Sequence, residues 1–132
     1  MTAATNPEVE RLAAGPYVSL TTYRSDGTAV PTPVWVSSDA DKLYVWTERS
    51  SGKIARIRNR GHVLVAPCDS RGRLQGTPVD ASARVLDDPA DLARVAALHR
   101  AKYRSQFRLI EGLARVFRRG RGGHVALEIT LP

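Results

Sequence analysis

The sequence predicts a mostly β fold with flanking helices, in which an antiparallel sheet closes into a barrel and helices pack outside it. Three observations point there. Strand-like runs of alternating or β-branched residues recur along most of the chain. Short turns join most of them, which favours antiparallel neighbours. Helical periodicity is confined to three places, giving the order helix, three strands, short helix, two strands, helical region, strand. A length of 132 residues makes one domain, 1–132, with one modest core that a partner subunit can complete.

The elements follow in order. Residues 6–14 form a short amphipathic helix, with Asn6 as its cap, Pro7 at its first position and Gly15-Pro16 ending it. Tyr17–Tyr23 is a strand by β-branched content, and Asp26-Gly27 turns it tightly into Ala29–Ser37. In that second strand Val30, Thr32, Val34 and Val36 face one way and Pro31, Pro33 and Trp35 the other. Its two prolines fit an edge or bulged strand, since each removes a ladder donor. Asp39–Asp41 leads into the strand Lys42–Thr47. A helix over about Ser51–Asn59 turns Ile54 and Ile57 to the core, and Gly61 closes it. His62–Pro67 is a continuous apolar run, which predicts a strand buried on both faces. Cys68–Pro78 is a loop or long hairpin connection, and Val79–Leu86 alternates again, with Val79, Ala81, Ala83 and Val85 on one face.

Asp87-Asp88-Pro89 opens a helix, with an acid at the cap and proline at the first position. Leu92, Val95, Ala96, His99 and Tyr103 make one stripe; Phe107, Ile110, Leu113, Ala114 and Phe117 make a second, which leaves open one bent helix or two. Gly120–Gly123 breaks the pattern. His124–Leu131 is the last strand, with Val125, Leu127, Ile129 and Leu131 on one face.

No run is long and apolar enough to cross a bilayer, and the start of the chain lacks the basic and apolar regions of a secretory signal, so a cytoplasmic location is expected. A single cysteine, Cys68, excludes an internal disulfide framework and a multi-cysteine zinc site, and His62, His99 and His124 show no metal-ligand spacing. The net charge of +7 is clustered: fifteen of the 20 basic residues fall in 49–73 and 100–121, each block holding one acid. Such a field attracts anions. A polyanionic cofactor fits it. Nucleic acid fits it less well, for few aromatics are free for stacking and there is no recognition helix or ribbon motif.

The densest chemistry lies in Thr47–Ile57, TERSSGKIARI, where a strand gives way to a helix. Ser50 or Ser51 caps the helix, Gly52 lets backbone approach closely and Lys53 supplies charge in the first turn. Free backbone N–H groups, hydroxyls and a cation therefore meet at one point, which suits a phosphate or carboxylate. A charge-assisted contact of this kind contributes roughly 1.5–3 kcal/mol when shielded from water. The plain alternative is a serine-capped helix with an exposed lysine. Arg56, one turn on, can pair with the same anion or with carboxylates beyond it.

Four segments taken in order carry a resemblance: AVPTPVWV at 29–36, LYVWT at 43–47, SGKIAR at 51–56 and VLVAPC at 63–68. Together they resemble the pyridoxamine 5′-phosphate oxidase-like split β-barrel superfamily, and within it the flavin and deazaflavin oxidoreductases of actinobacteria, the coenzyme F-420-dependent branch. The likeness runs from about Pro16 to Leu86 and over the last strand; the region 88–118 is similar in layout more than in motif.

The resemblance implies an FMN-binding-type split barrel, a homodimer with two cofactor sites along its interface, and hydride transfer between a reduced deazaflavin (coenzyme F-420) and a small organic acceptor. FMN is the alternative cofactor. It places the phosphate at Ser50, Ser51, Gly52, Lys53, Ile54 and Arg56, with Trp46 and Thr47 beside that turn. Val34, Trp35 and Val36 lie where family members set backbone against the ring. Trp35 either stacks on the ring or fills the core, the commoner fate of a tryptophan. Pro67-Cys68 ends the next strand, where Cys68 reads as a buried small hydrophobe rather than a nucleophile. Arg71, Arg73 and Gln75 belong to a loop that can reach the partner's site. No catalytic side chain stands out, which agrees with hydride chemistry done by a ring that the protein orients.

Overall fold

The computed structural model describes the backbone of residues 6–117 and 123–132 and the side chains of residues 6–103 and 123–132. The elements are α1 (Pro7–Ala13), β1 (Tyr17–Tyr23), β2 (Ala29–Trp35), β3 (Ser37–Asp39), β4 (Lys42–Glu48), α2 (Gly52–Asn59), β5 (His62–Cys68), β6 (Val79–Leu86), α3 (Pro89–Phe117) and β7 (His124–Thr130). All seven strands belong to one antiparallel sheet in the order β2-β1-β5-β6-β7-β4-β3. The sheet curls until β2 touches β4, making a split barrel.

Alternation along each strand decides what lies inside the curl. Val18 and Leu20 of β1, Leu43 and Val45 of β4, Val63 and Val65 of β5 and Leu127 and Ile129 of β7 point inward with no exposed surface. Each such side chain contributes about 1.5–3 kcal/mol by leaving water. α1 lays Val9 and Leu12 into the same core; its start is fixed by Asn6, whose Oδ1 accepts the Glu8 N–H at 2.8 Å. The Asp26-Gly27 turn forms as its residues demand: Gly27 has φ of +91°, and Asp26 Oδ1 accepts the Thr28 N–H at 2.9 Å.

The second expected strand divides. β2 stops at Trp35, and Ser37 opens β3 at the opposite edge of the sheet. Val36 is the crossover residue, fully buried, and its peptide groups bond to α3 instead of a ladder. The Tyr103 hydroxyl accepts the Val36 N–H at 2.9 Å and donates to Pro16 O at 2.7 Å. Lys102 Nζ donates to Val36 O at 2.6 Å, and also to Ala13 O at 2.7 Å and Gly15 O at 2.9 Å. Three carbonyls thus match the three N–H bonds of one ammonium.

One further expectation meets a correction. β5 is not buried on both faces: Val63 and Val65 are in the core, but His62 is exposed and Leu64 half-buried, because α3 covers β3, β4 and β7 instead. The long helical region, which the sequence leaves open as one helix or two, is one helix. Its described apolar residues Leu92, Val95 and Leu98 pack on Tyr44, Trp46, Leu86 and Ala126. The stripe Phe107–Phe117 and most of Gly120–Gly123 lie outside the described side chains. None of the helices among the described residues is long and apolar enough to cross a membrane.

His99 sits one turn before Tyr103, wholly buried, with Nδ1 2.8 Å from Ser37 Oγ. Burial pushes its pKa down to about 4, against the pull of the Trp35 and Val95 backbone. The unfolded chain therefore binds the extra proton between pH 6.5 and 4 while the folded chain does not, so stability falls as pH drops through that window. We expect the urea midpoint to drop over this range by the equivalent of on the order of 3 kcal/mol, and a His99→Asn variant to lose this slope whatever its absolute stability.

Candidate functional site

The β4–α2 joint forms where the sequence places it. Ser51 is the cap of α2, its Oγ accepting the Lys53 N–H at 3.3 Å, and a tight turn precedes it in which the Ser51 N–H meets Glu48 O at 3.0 Å. Ile54 and Ile57 anchor the helix in the core. With those two residues inward, Lys53 and Arg56 share a flank of α2, both half-buried. The Lys53 pKa is pushed down, first by burial and then by the positive charge of Arg56; Glu48 opposes this.

Arg56 is not a free surface arginine. Its Nε donates to Thr22 Oγ1 of β1 at 2.7 Å. Its guanidinium then folds back over the first turn of α2, where a Cβ on Gly52 would come within 2.7 Å of Nη1. Two like charges on one flank beside a helix start are a donor set that suits a doubly negative group. The phosphate of a flavin or deazaflavin fits that donor set.

The residues expected at the site separate into two groups. Thr47, Ser50, Ser51, Gly52, Lys53, Ile54 and Arg56 come together at the α2 end. Trp46 does not join them: it points to the other side of β4 from Thr47, packs toward α3 and stacks on His124 at 5.4 Å. Val34 and Val36 face the core. Trp35 lies flat against Tyr103, with ring centroids 4.2 Å apart and planes 9° apart.

Trp35 and Cys68 both pair with Tyr17, at the start of β1, five residues from Thr22. That separation is about 17 Å along an extended strand. Pro67, Cys68, Arg71 and Gln75 share that far end. The loop after β5 folds back on itself through the Gln75 N–H to Pro67 O bond at 2.8 Å, and Asp69 clamps its tip through the N–H groups of Arg71 and Arg73 and through Arg73 Nε, all at 2.9 Å. Gly72 turns this tip with φ of +86°. On the outward face between the two groups lies a groove of about 290 Å³, lined by Ser19, Thr21, Pro31, Leu64, Ala66, Gly72, Leu74 and Pro78. Leu74 is 56% exposed there, the one large hydrophobic side chain so exposed among the described residues.

Sequence reading missed Thr22, although a signal existed: it breaks the inward alternation Val18-Leu20 with a hydroxyl and is still fully buried. It also missed Lys102 and Tyr103 as holders of the crossover, for which no local pattern exists.

The chain matches the pyridoxamine 5′-phosphate oxidase family over residues 5–131. It belongs to that family. Its fold also matches solved structures at low identity. One is a conserved hypothetical protein of Mycobacterium tuberculosis, with TM-score 0.69 and 16% identity over 98% of this chain and 82% of that one. Another is HutZ, the heme storage protein of Vibrio cholerae, with TM-score 0.69 and 12% identity over 100% and 92%. A third is a pyridoxamine 5′-phosphate oxidase-related, FMN-binding protein of Nostoc punctiforme, with TM-score 0.60 and 15% identity over 93% and 75%. No curated protein matches by sequence.

Within this family member Cys68 is 2% exposed, and its thiol pKa is raised, by burial first and then by Asp69. It is therefore a packing residue with little thiolate. We expect negligible reaction of native protein with a thiol reagent at pH 8 over a time in which urea-unfolded protein is fully labelled.

Proposed function

We propose that this pyridoxamine 5′-phosphate oxidase family member is an oxidoreductase that binds reduced coenzyme F-420 and serves hydride transfer to a small organic acceptor. The observation that carries the proposal is the Lys53–Arg56 cation pair held at the start of α2 beside Gly52. The ring supplies the hydride chemistry. Lys53 and Arg56 neutralise the phosphate, the Ser51 hydroxyl donates to it, and Thr47 supports the turn at the end of β4.

The separation of the candidate residues supports a homodimer. Trp35, Pro67, Cys68, Arg71 and Gln75 lie too far along β1 to reach a phosphate on Lys53 of their own chain, but Trp35, Pro67, Arg71 and Gln75 of a second copy can line the ring, with Cys68 packed behind them. The open, largely apolar face of β1 and β5 with exposed Leu74 supports the same assembly. The protein would act as a single domain in the cytoplasm, away from membranes and nucleic acid.

The deazaflavin is preferred because Arg58 and Arg60 continue the basic run as exposed side chains just past Arg56, and the F-420 tail carries further carboxylates. FMN is the second reading, favoured by the FMN-binding protein of Nostoc punctiforme that shares the fold.

Fluorescence titration with each cofactor tests this. We expect F-420 to bind in the low micromolar range, more tightly than FMN, and Lys53→Ala to weaken binding about tenfold or more while the circular dichroism spectrum stays unchanged. Tight FMN binding without F-420 binding would replace the first reading with the second. Unchanged affinity in Lys53→Ala would remove the phosphate site from both.

A further inference from the structure

We infer that Thr22 and Gly52 are positioning residues that aim the Arg56 guanidinium at the cofactor phosphate. The inference rests on the phosphate site proposed above and extends it to two residues that do not carry charge.

Thr22 occupies an inward position of β1 and is 0% exposed, in line with Val18 and Leu20. A hydroxyl there loses its hydration and must find a partner inside the protein. It accepts from Arg56 Nε, at 2.7 Å, reached from another element 34 residues on. One bond to Nε fixes the plane of a guanidinium and leaves its two terminal nitrogens free to face a ligand. Valine, which matches threonine in shape, would fill the core position equally well without that bond.

Gly52 supplies the space. It is the first residue of α2 and does not have a left-handed φ, so the backbone gives no reason for glycine. Alanine is favoured over glycine within helices by up to about 1 kcal/mol. The reason lies beyond the backbone: a Cβ would meet Arg56 Nη1 at 2.7 Å and Cζ at 3.5 Å. The missing methyl is the room in which the guanidinium lies. Thr22 pulls the group from one side and Gly52 admits it from the other. Both devices act on the same side chain, Arg56.

The geometry also separates this role from general stability. Losing the Thr22 bond or adding the Gly52 methyl leaves Arg56 present and charged but lets it swing toward solvent. What is lost is its aim, and a ligand without a phosphate should not register the change.

The test compares FMN with riboflavin, which has the same ring and no phosphate, by fluorescence titration on the full-length protein. In the wild type FMN should bind more tightly than riboflavin. Thr22→Val and Gly52→Ala should each lower FMN affinity about fivefold and leave riboflavin affinity unchanged, and Thr22→Ser should restore FMN binding. In an Arg56→Ala background neither substitution should have a further effect. Gly52→Ala keeps the test open even if Thr22→Val folds poorly, because position 52 is exposed. If FMN and riboflavin bind alike in the wild type and Arg56→Ala, the phosphate site itself is wrong. If the wild type and Arg56→Ala differ but Thr22→Val and Gly52→Ala behave as wild type, the site stands and the positioning role is overturned.

Discussion

The architecture depends on what happens to one peptide, that of Val36. A chain leaving β2 at one edge of the sheet must reach β3 at the other, and on the way it has no neighbouring strand to bond. A buried peptide without partners costs several times what a satisfied one contributes. Tyr103 and Lys102 of α3 meet that demand, the hydroxyl at the N–H and the ammonium at the carbonyl. Because the crossing is satisfied from outside the sheet, β4 can lie beside β7 rather than beside β2. That placement carries the β4–α2 joint, and with it Lys53, to its position over β1 and β6.

The electrostatics of the joint follow from the same scaffold. Ile54 and Ile57 fix the rotation of α2, so Lys53 and Arg56 share a flank whether or not their charges agree. Like charges this close are unfavourable in a half-buried setting, as the lowered Lys53 pKa records. The core pays for this arrangement; the cations do not hold the helix in place. Such a division, with packing holding a charge arrangement that is poor for stability, is usual where a protein meets an anion.

Much of this was legible in the sequence, and the reasons are local. The Asp26-Gly27 turn, the Asn6-Pro7 and Ser51 helix starts and the alternation in 79–86 rest on contacts between near neighbours, and each forms where expected. Long-range partners were not legible. Nothing around Val36 says that its bonds go to residues 66 and 67 positions later, so 29–37 read as one strand. The apolar run 62–67 hid its half-open outer face, because alternation cannot show which neighbour covers a strand. In the candidate site the segment 50–56 was visible as a motif. The stacking of Trp35 on Tyr103 and the grip of Thr22 on Arg56 depend on chain folding back over dozens of residues.

The pairing of β4 with β7 has a bearing on the order in which the protein folds. All seven residues of β4 find a partner in β7, from Lys42 opposite Thr130 to Glu48 opposite His124, and the Arg49 N–H bonds Gly123 O at 2.9 Å just beyond. The strand from which the cation-bearing helix hangs is thus seated by a pairing 76 to 88 residues distant along the chain, its other neighbour being the three-residue β3. Contacts so far apart form slowly, because loop closure must come before they reward it. The β4–α2 joint is therefore expected to settle late in folding, after the local turns and helix starts around it.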